Sequence, residues 1–368
     1  MSLRESSMEE DLCLIVLDNC KELGEKLNRE IQNIRNTETN YLLPVSLPRF
    51  QDGEGKAVLL DSVRGKDVYI ISDPHNYSIT YEMYDFMHHM SPDEHFMDVK
   101  RIVSSIMKHA RSVKVIMPLW YQSRQHRRKH GVNESLDMAM GLRDLERMGV
   151  NGFVTFDMHD VNSAQNAVDV PFDNFYATND MLKLYLQNEP LDRENTYVIS
   201  PDAGAVERAG FLAGILGGVK FGTFEKGRGS SVVDGMNPIE KHAYLGESTY
   251  GKNVLVADDM LASGGSMLDV AIELKAQGAL KVDFFTTFAL FTKGIEKFDK
   301  AHDEGLFNGF YTTNLSYIPK EYLERPWLYT ADCSRYLAHI IDTLNLGHSI
   351  RALKEDNSAR MLARVKSH

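Results

Sequence analysis

One stretch constrains the fold more than any other: Val254-Leu-Val-Ala-Asp258-Asp259-Met-Leu-Ala262-Ser263-Gly264-Gly265-Ser266-Met-Leu-Asp-Val270. An apolar run of strand type ends in two adjacent carboxylates, a small-residue turn follows, and the apolar spacing from Met267 to Leu274 predicts a helix. Strand, turn and helix in that order are the repeating unit of a parallel sheet.

The same rhythm recurs along the chain. Strand-like runs are expected at 12–17, 67–72, 113–117, 153–156, 197–200, 219–224 and 282–291. Helical spacing is expected over 21–34, 96–109, 134–148, 203–216 and 334–344, and over 174–188 after an initial turn. The fold class that follows is α/β with mainly parallel central sheets. A length of 368 residues calls for two domains, 1–174 and 175–353, followed by a charged tail at 354–368. Residues 227–252 are polar, rich in Gly and Ser and without strong periodicity, which predicts a mobile loop.

Composition narrows the classes of function. With 43% hydrophobic and 25% charged residues and a net charge of −11, the chain has no general affinity for nucleic acid or anionic membranes. No apolar run approaches the roughly 20 residues of a membrane span, and Met1 to Asp11 lacks the pattern of a signal peptide. Cys13, Cys20 and Cys333 lack zinc-ligand spacing and are expected as buried thiols of a reducing compartment, so a cytoplasmic location is expected.

Several stretches could carry chemistry. The turn after Asp258 and Asp259 would offer backbone N–H groups and the hydroxyls of Ser263 and Ser266 to a phosphate at a helix N-terminus. The two acids could hold a metal or the vicinal hydroxyls of a sugar, although an ordinary turn with a serine N-cap has the same sequence pattern. In Phe153-Val-Thr-Phe-Asp157-Met-His159-Asp160 a histidine ends a strand between two acids and could ligate a divalent metal. Asp202 follows a strand directly and would serve either as a helix N-cap or as a second magnesium ligand beside His159.

Lys226 and Arg228 are solvated surface, or cations that close over a transferring phosphorus group. Residues 121–130 include Arg124, Gln125, His126, Arg127 and Arg128; an RNA patch, a nucleotide triphosphate contact and a solvated helix start all fit. Phe50-Gln51-Asp52-Gly53-Glu54 reads as a hairpin turn, or as a purine clamp in which the ring stacks on a base and a carboxylate accepts from its amine.

Taken in order, these motifs resemble the ribose-phosphate diphosphokinase family, also called phosphoribosyl pyrophosphate (PRPP) synthetases. The similarity runs from about residue 12 to 353 and includes Phe50-x-Asp52-Gly53-Glu54, Ser62-Val63-Arg64-Gly65, Pro118 through Arg124-Gln125, and Phe156-Asp157-Met158-His159. It continues through residues 170–176, Ser200-Pro201-Asp202-Ala203-Gly204, Lys226-x-Arg228 and the acid-pair loop.

The resemblance implies two domains of the type I phosphoribosyltransferase fold, an oligomer built from dimers, and transfer of pyrophosphate from Mg-ATP to the 1-hydroxyl of ribose 5-phosphate. It implies ATP contacts from Arg124, Gln125 and His159, and from Phe50, Asp52 and Glu54 of a neighbouring subunit. His159 and Asp202 would hold Mg2+, and Lys226 and Arg228 would act on the transferring group. Asp258, Asp259, Ser263, Gly264, Gly265 and Ser266 would hold ribose 5-phosphate. Ser62 and Arg64 match positions where relatives bind regulatory phosphate.

The chain departs from the family pattern at Ala262, where an acid is usual, at Ser263 and Ser266, where threonines are usual, at Phe288 in place of a histidine, and at His126 in place of an acid. The loss of the third acid leaves a non-catalytic regulatory relative as an alternative, and the shared phosphate loop leaves a phosphoribosyltransferase as another.

Overall fold

The computed structural model describes residues 11–228, 239–351, 353, 363 and 365. The described residues form two compact units, one of 11–176 with 314–317 and the described part of 332–353, the other of the described part of 177–313 with 318–331. Residues 314–317 and 332–353 thus pack with the first unit, where the sequence reading gives them to the second.

The first unit holds strands β1 (Leu12–Val16), β2 (Val45–Ser46), β3 (Val58–Leu59), β4 (Asp67–Ile71), β5 (Thr80–Met83), β6 (Phe86–His89), β7 (Ser112–Ile116), β8 (Gly152–Phe156) and β9 (Phe172–Phe175). Its helices are α1 (Lys21–Arg35), α2 (Pro92–Ile106), α3 (Asp137–Arg147) and α4 (Val161–Gln165), with a returning helix over Ser334–Asn345. Strands β1, β4, β7, β8 and β9 pair in that order, all parallel. Every residue of β4 and β8 is buried, as expected for strands covered on both faces.

Helix α1 turns Leu23, Leu27 and Ile31 inward at four-residue spacing, and Gly24 lets it approach Val16: a Cβ at Gly24 would lie 2.4 Å from a Val16 methyl. Helix α2 begins at Pro92, before the expected Phe96, because Ser91 and Glu94 form a capping box and proline takes the first turn. Helix α3 begins at Asp137 rather than Glu134. Asn174 and Phe175, expected in the turn that opens 174–188, belong to the edge strand β9 instead.

The second unit contains β10 (Thr196–Ser200), β11 (Phe221–Arg228), β12 (Ile239–Leu245), β13 (Asn253–Leu261), β14 (Lys281–Ala289), β15 (Gly309–Thr313) and β16 (Leu328–Ala331). Its helices are α5 (Thr178–Asn188), α6 (Val206–Ile215), α7 (Gly265–Ala276) and α8 (Glu296–Asp303). The seven strands lie in the order β12-β11-β10-β13-β14-β15-β16, parallel except for β12.

The mobile loop expected over 227–252 is corrected in part. Gly227 and Arg228 extend β11, and 239–245 return antiparallel as β12. The rings of Phe224 and Tyr244, which face each other across the pair at 5.2 Å between centroids, supply the apolar contact that fixes this register. Residues 229–238 lie outside the described residues.

Candidate functional site

The chain path through the second sheet creates a reversal. From β10 the next strand, β11, is added on one side, and β13 is then added on the other side of β10. In an open parallel sheet, ligands bind in the crevice outside the carboxyl ends of strands at such a switch point. The residues delivered there are Asp202, directly after β10, and Asp258 and Asp259, near the end of β13.

Asp258 and Asp259 lie within β13 rather than at its end, since the strand continues through Leu261 in register with Ala289. Asp259 is 2% exposed, and its N–H donates to Asp258 Oδ1 at 2.9 Å. Burial and the neighbouring Asp259 carboxylate push Asp258 well above the usual carboxylate range; Asp202 adds to the shift and Arg208 opposes it. Arg208 Nη2 lies 3.7 Å from Asp259 Oδ2, with both side chains largely buried. Arg208 is not among the residues expected at the site; its one signal in the sequence is a lone guanidinium in the small-residue helix α6 that follows Asp202.

The turn after β13 has a backbone that the sequence alone does not give. Gly264 is the N-cap of α7 at φ 76°, and no side chain caps the helix, so the serine-capped turn is not what forms. The first-turn N–H groups are left for solvent or a ligand. A Cβ at Gly264 would lie 2.2 Å from the Phe298 ring, whereas a Cβ at Gly265 would meet nothing within 4 Å. The helix therefore starts tight on its inner side and open on its outer side. Ser263 is exposed and Ser266 half-buried at this mouth. Phe288 is fully buried and in register with Met260.

Asp202 does cap: its Oδ1 accepts from Gly204 N–H at 2.9 Å, opening a short 3-10 turn over Ala203–Ala205 ahead of α6. Lys226 and Arg228 lie on β11, in register with His242 and Ile239 on β12.

In the first unit His159, Arg124 and Gln125 lie on loops that follow parallel strands, whereas the other candidates do not. His159 is exposed just beyond β8, after Asp157, whose backbone is held at φ 43°. The His126 ring meets the His159 ring edge-on at 5.2 Å, and His126 Nε2 lies 3.7 Å from Asp160 Oδ2. Arg124 and Gln125 are exposed on the turns that follow β7, not on a helix.

Phe50 sits at an exposed turn closed by Gly53 N–H to Phe50 O (2.9 Å) and Phe50 N–H to Glu54 O (2.7 Å). The hairpin reading is thus correct for the backbone, and it leaves the ring and the Asp52 and Glu54 side chains outward. The small hairpin of β5 and β6 backs this turn, with Tyr84 N–H donating to Gln51 O at 3.0 Å. Ser62 and Arg64 are exposed on the loop before β4, and Arg64 Nη2 reaches His109 Nδ1 at 3.4 Å.

Among the described residues no group of three or more His, Cys, Asp or Glu side chains is placed to hold a metal unaided, and no helix is long and apolar enough to cross a membrane. Magnesium differs from a caged metal in using one or two protein ligands with phosphate and water for the rest. Asp202, Asp258 and Asp259 offer carboxylate oxygens of the kind such an ion takes, and Asp259 and Asp202 both push the Asp258 carboxyl up.

Comparison with known proteins gives two family matches. Residues 12–149 match the N-terminal domain of ribose phosphate pyrophosphokinase, and residues 175–310 match the phosphoribosyl transferase domain. A ribose-phosphate pyrophosphokinase of Ralstonia nicotianae is 30% identical over 67% of this chain and 70% of its own length. Another, from Vibrio parahaemolyticus, is 28% identical over 84% of this chain and 90% of its own. Among solved structures, phosphoribosylpyrophosphate synthetase from Mycobacterium smegmatis shares the fold, with a TM-score of 0.74 at 21% identity, covering 91% of this chain and 98% of that one.

Proposed function

Because this chain belongs to the ribose-phosphate pyrophosphokinase family, we propose that it transfers pyrophosphate from Mg-ATP to the 1-hydroxyl of ribose 5-phosphate, giving PRPP and AMP. The observation that carries this reading is the convergence, at the switch point of the second sheet, of an acid pair and an uncapped helix N-terminus. One end of the crevice suits a phosphate and the other suits vicinal hydroxyls.

In this reading the amides of Gly265 and Ser266, with the Ser263 and Ser266 hydroxyls, bind the 5-phosphate, and Gly264 sets their direction. Asp258 and Asp259 orient the ribose hydroxyls. The raised affinity of Asp258 for a proton lets it donate a hydrogen bond where an ionised carboxylate could only accept. Arg124 and Gln125 position the nucleotide, and Phe50, Asp52 and Glu54 contact its base.

The anomeric oxygen attacks the β-phosphorus in line and releases its proton to solvent, the bond from that phosphorus to the α-phosphate oxygen breaks, and AMP departs; no enzyme-bound intermediate is needed. Lys226 and Arg228 offset the negative charge that builds on the transferring group. His159 on the first unit and Asp202 on the second are each proposed as a protein ligand of magnesium, which when bound would neutralise phosphate charge. Ser62 and Arg64 would take a regulatory phosphate, and the protein would assemble from dimers.

The test is direct: purified protein, Mg-ATP and ribose 5-phosphate are mixed, and AMP and PRPP are followed. Equal formation of both supports the proposal; no AMP above background refutes it.

A further inference from the structure

We propose that His75 is an additional nucleotide-contacting residue, which hydrogen-bonds the polyphosphate of ATP beside Arg124; this rests on the ATP-site reading given above.

His75 lies four residues beyond the carboxyl end of β4, on the loop Ser72–Ser78. That loop is fixed by its own polar groups. Asn19 Nδ2 donates to Ser72 Oγ (3.1 Å) and Asp73 N–H donates to Asn19 Oδ1 (3.2 Å). Asn76 Nδ2 donates to the Asn19 carbonyl at 2.9 Å, and Tyr317 N–H donates to Asp73 Oδ2 at 2.8 Å. His75 N–H donates to Asp73 Oδ1 at 3.0 Å, and His95 Nε2 lies 2.9 Å from the Asn76 carbonyl. Six hydrogen bonds thus hold the backbone on either side of His75.

The ring itself is the exception. Nδ1 is buried and has no hydrogen-bond partner, an unusual state for a polar atom in a loop otherwise so well paired. A neutral imidazole carries one N–H, and an unpartnered buried donor is costly. The proton is therefore better placed on Nε2, where the partly open side of the residue gives it access to an acceptor.

The neighbourhood says which acceptor. β4 and β7 are adjacent, with Ile71 in register with Ile116 and Ser72 N–H donating to Ile116 O at 3.1 Å. The loops that follow these strands carry His75 and Arg124. Burial, Arg124 and His95 hold His75 down to about 4, so it is neutral near pH 7. A neutral donor beside a guanidinium adds hydrogen bonding without adding a second, repelling cation. Phosphate oxygens accept from both kinds of donor.

The test uses the full chain as wild type, His75→Ala, His75→Gln and Arg124→Ala, with calorimetric titration of ATP, tripolyphosphate and adenosine in magnesium buffer. A lost hydrogen bond to a charged group corresponds to roughly a ten- to hundred-fold weaker dissociation constant. His75→Ala should weaken ATP and tripolyphosphate by the same factor within that range and leave adenosine unchanged. His75→Gln, which keeps an N–H donor, should recover part of the loss and excludes misfolding as its cause. If His75→Ala and His75→Gln both bind tripolyphosphate like wild type while Arg124→Ala does not, His75 has no such role. If Arg124→Ala also binds normally, the placement of ATP itself fails, and this assignment with it.

Discussion

The backbone at Gly264 and the space at Gly265 make opposite demands on adjacent residues, so alanine at each position separates folding from binding. Gly264→Ala forces a β-carbon onto φ 76° and into the Phe298 ring, 2.2 Å away. The left-handed backbone costs about 1–2 kcal/mol, and displacing a packed ring adds about 1–3 kcal/mol. A loss of roughly 2–5 kcal/mol is expected, a large fraction of the stability of an ordinary domain. Gly265→Ala meets nothing within 4 Å and sits in the first turn of α7, so it should leave stability unchanged or raise it by up to about 1 kcal/mol. Its methyl group would project into the space proposed for the 5-phosphate, and the KM for ribose 5-phosphate should rise about ten-fold or more while the melting temperature holds. Urea unfolding and initial-rate kinetics on both variants decide the matter. A Gly264→Ala protein as stable as wild type would refute the backbone argument; a Gly265→Ala enzyme with unchanged KM would refute the phosphate cradle.

Three other perturbations follow from the same structure. Lys226→Ala should lower turnover about 10²-fold or more while leaving ATP affinity nearly intact, because charge stabilisation at the transferring group acts mainly in the transition state; a large loss of ATP affinity with normal turnover contradicts that role. Ala262→Asp should tighten ribose 5-phosphate, read as a lower dissociation constant, and an unchanged constant means another group already holds the sugar hydroxyls. Asp73→Asn should make folding acid-sensitive, since Asp73 and His75 oppose each other in the wild type. Burial raises Asp73 from 3.8 to about 6, a contribution that favours the folded state at low pH and is lost as pH rises through 6. Burial, with Arg124 and His95, lowers His75 from 6.5 to about 4, a contribution present above 6.5 and lost as pH falls through 4. Each is worth about 3 kcal/mol at most, so the variant should lose roughly that much between pH 6.5 and 4, and urea midpoints identical to wild type across this range would overturn the assignment.

What was legible in the sequence followed from local periodicity. The buried runs at 67–71 and 153–156 and the four-residue spacing of Leu23, Leu27 and Ile31 each report one element's own environment, and each forms as expected. The 219–224 strand was legible, but the return of the chain as β12 was not, because β12 is an edge strand made by pairing with β11 and the ring contact of Phe224 with Tyr244 spans twenty residues. The order of motifs disclosed the candidate site, but its electrostatics depend on groups that chain distance conceals. Arg208 lies fifty-one residues before Asp259 in sequence, and only the placement of β10 beside β13 brings α6 to the acid pair.

That placement also bears on Ala262. With Arg208 against Asp259 and Asp258 biased towards its protonated form, the pocket already balances two acids with one guanidinium. A third carboxylate at 262 would add charge to a cluster whose members already disfavour ionisation. On the proposed reading, alanine at this position avoids that repulsion and gives up one contact to the sugar. If that trade governs the site, Ala262→Asp should bind ribose 5-phosphate more tightly with magnesium present than without it, because the cation offsets the added charge; equal gains in both conditions would show that repulsion plays no part.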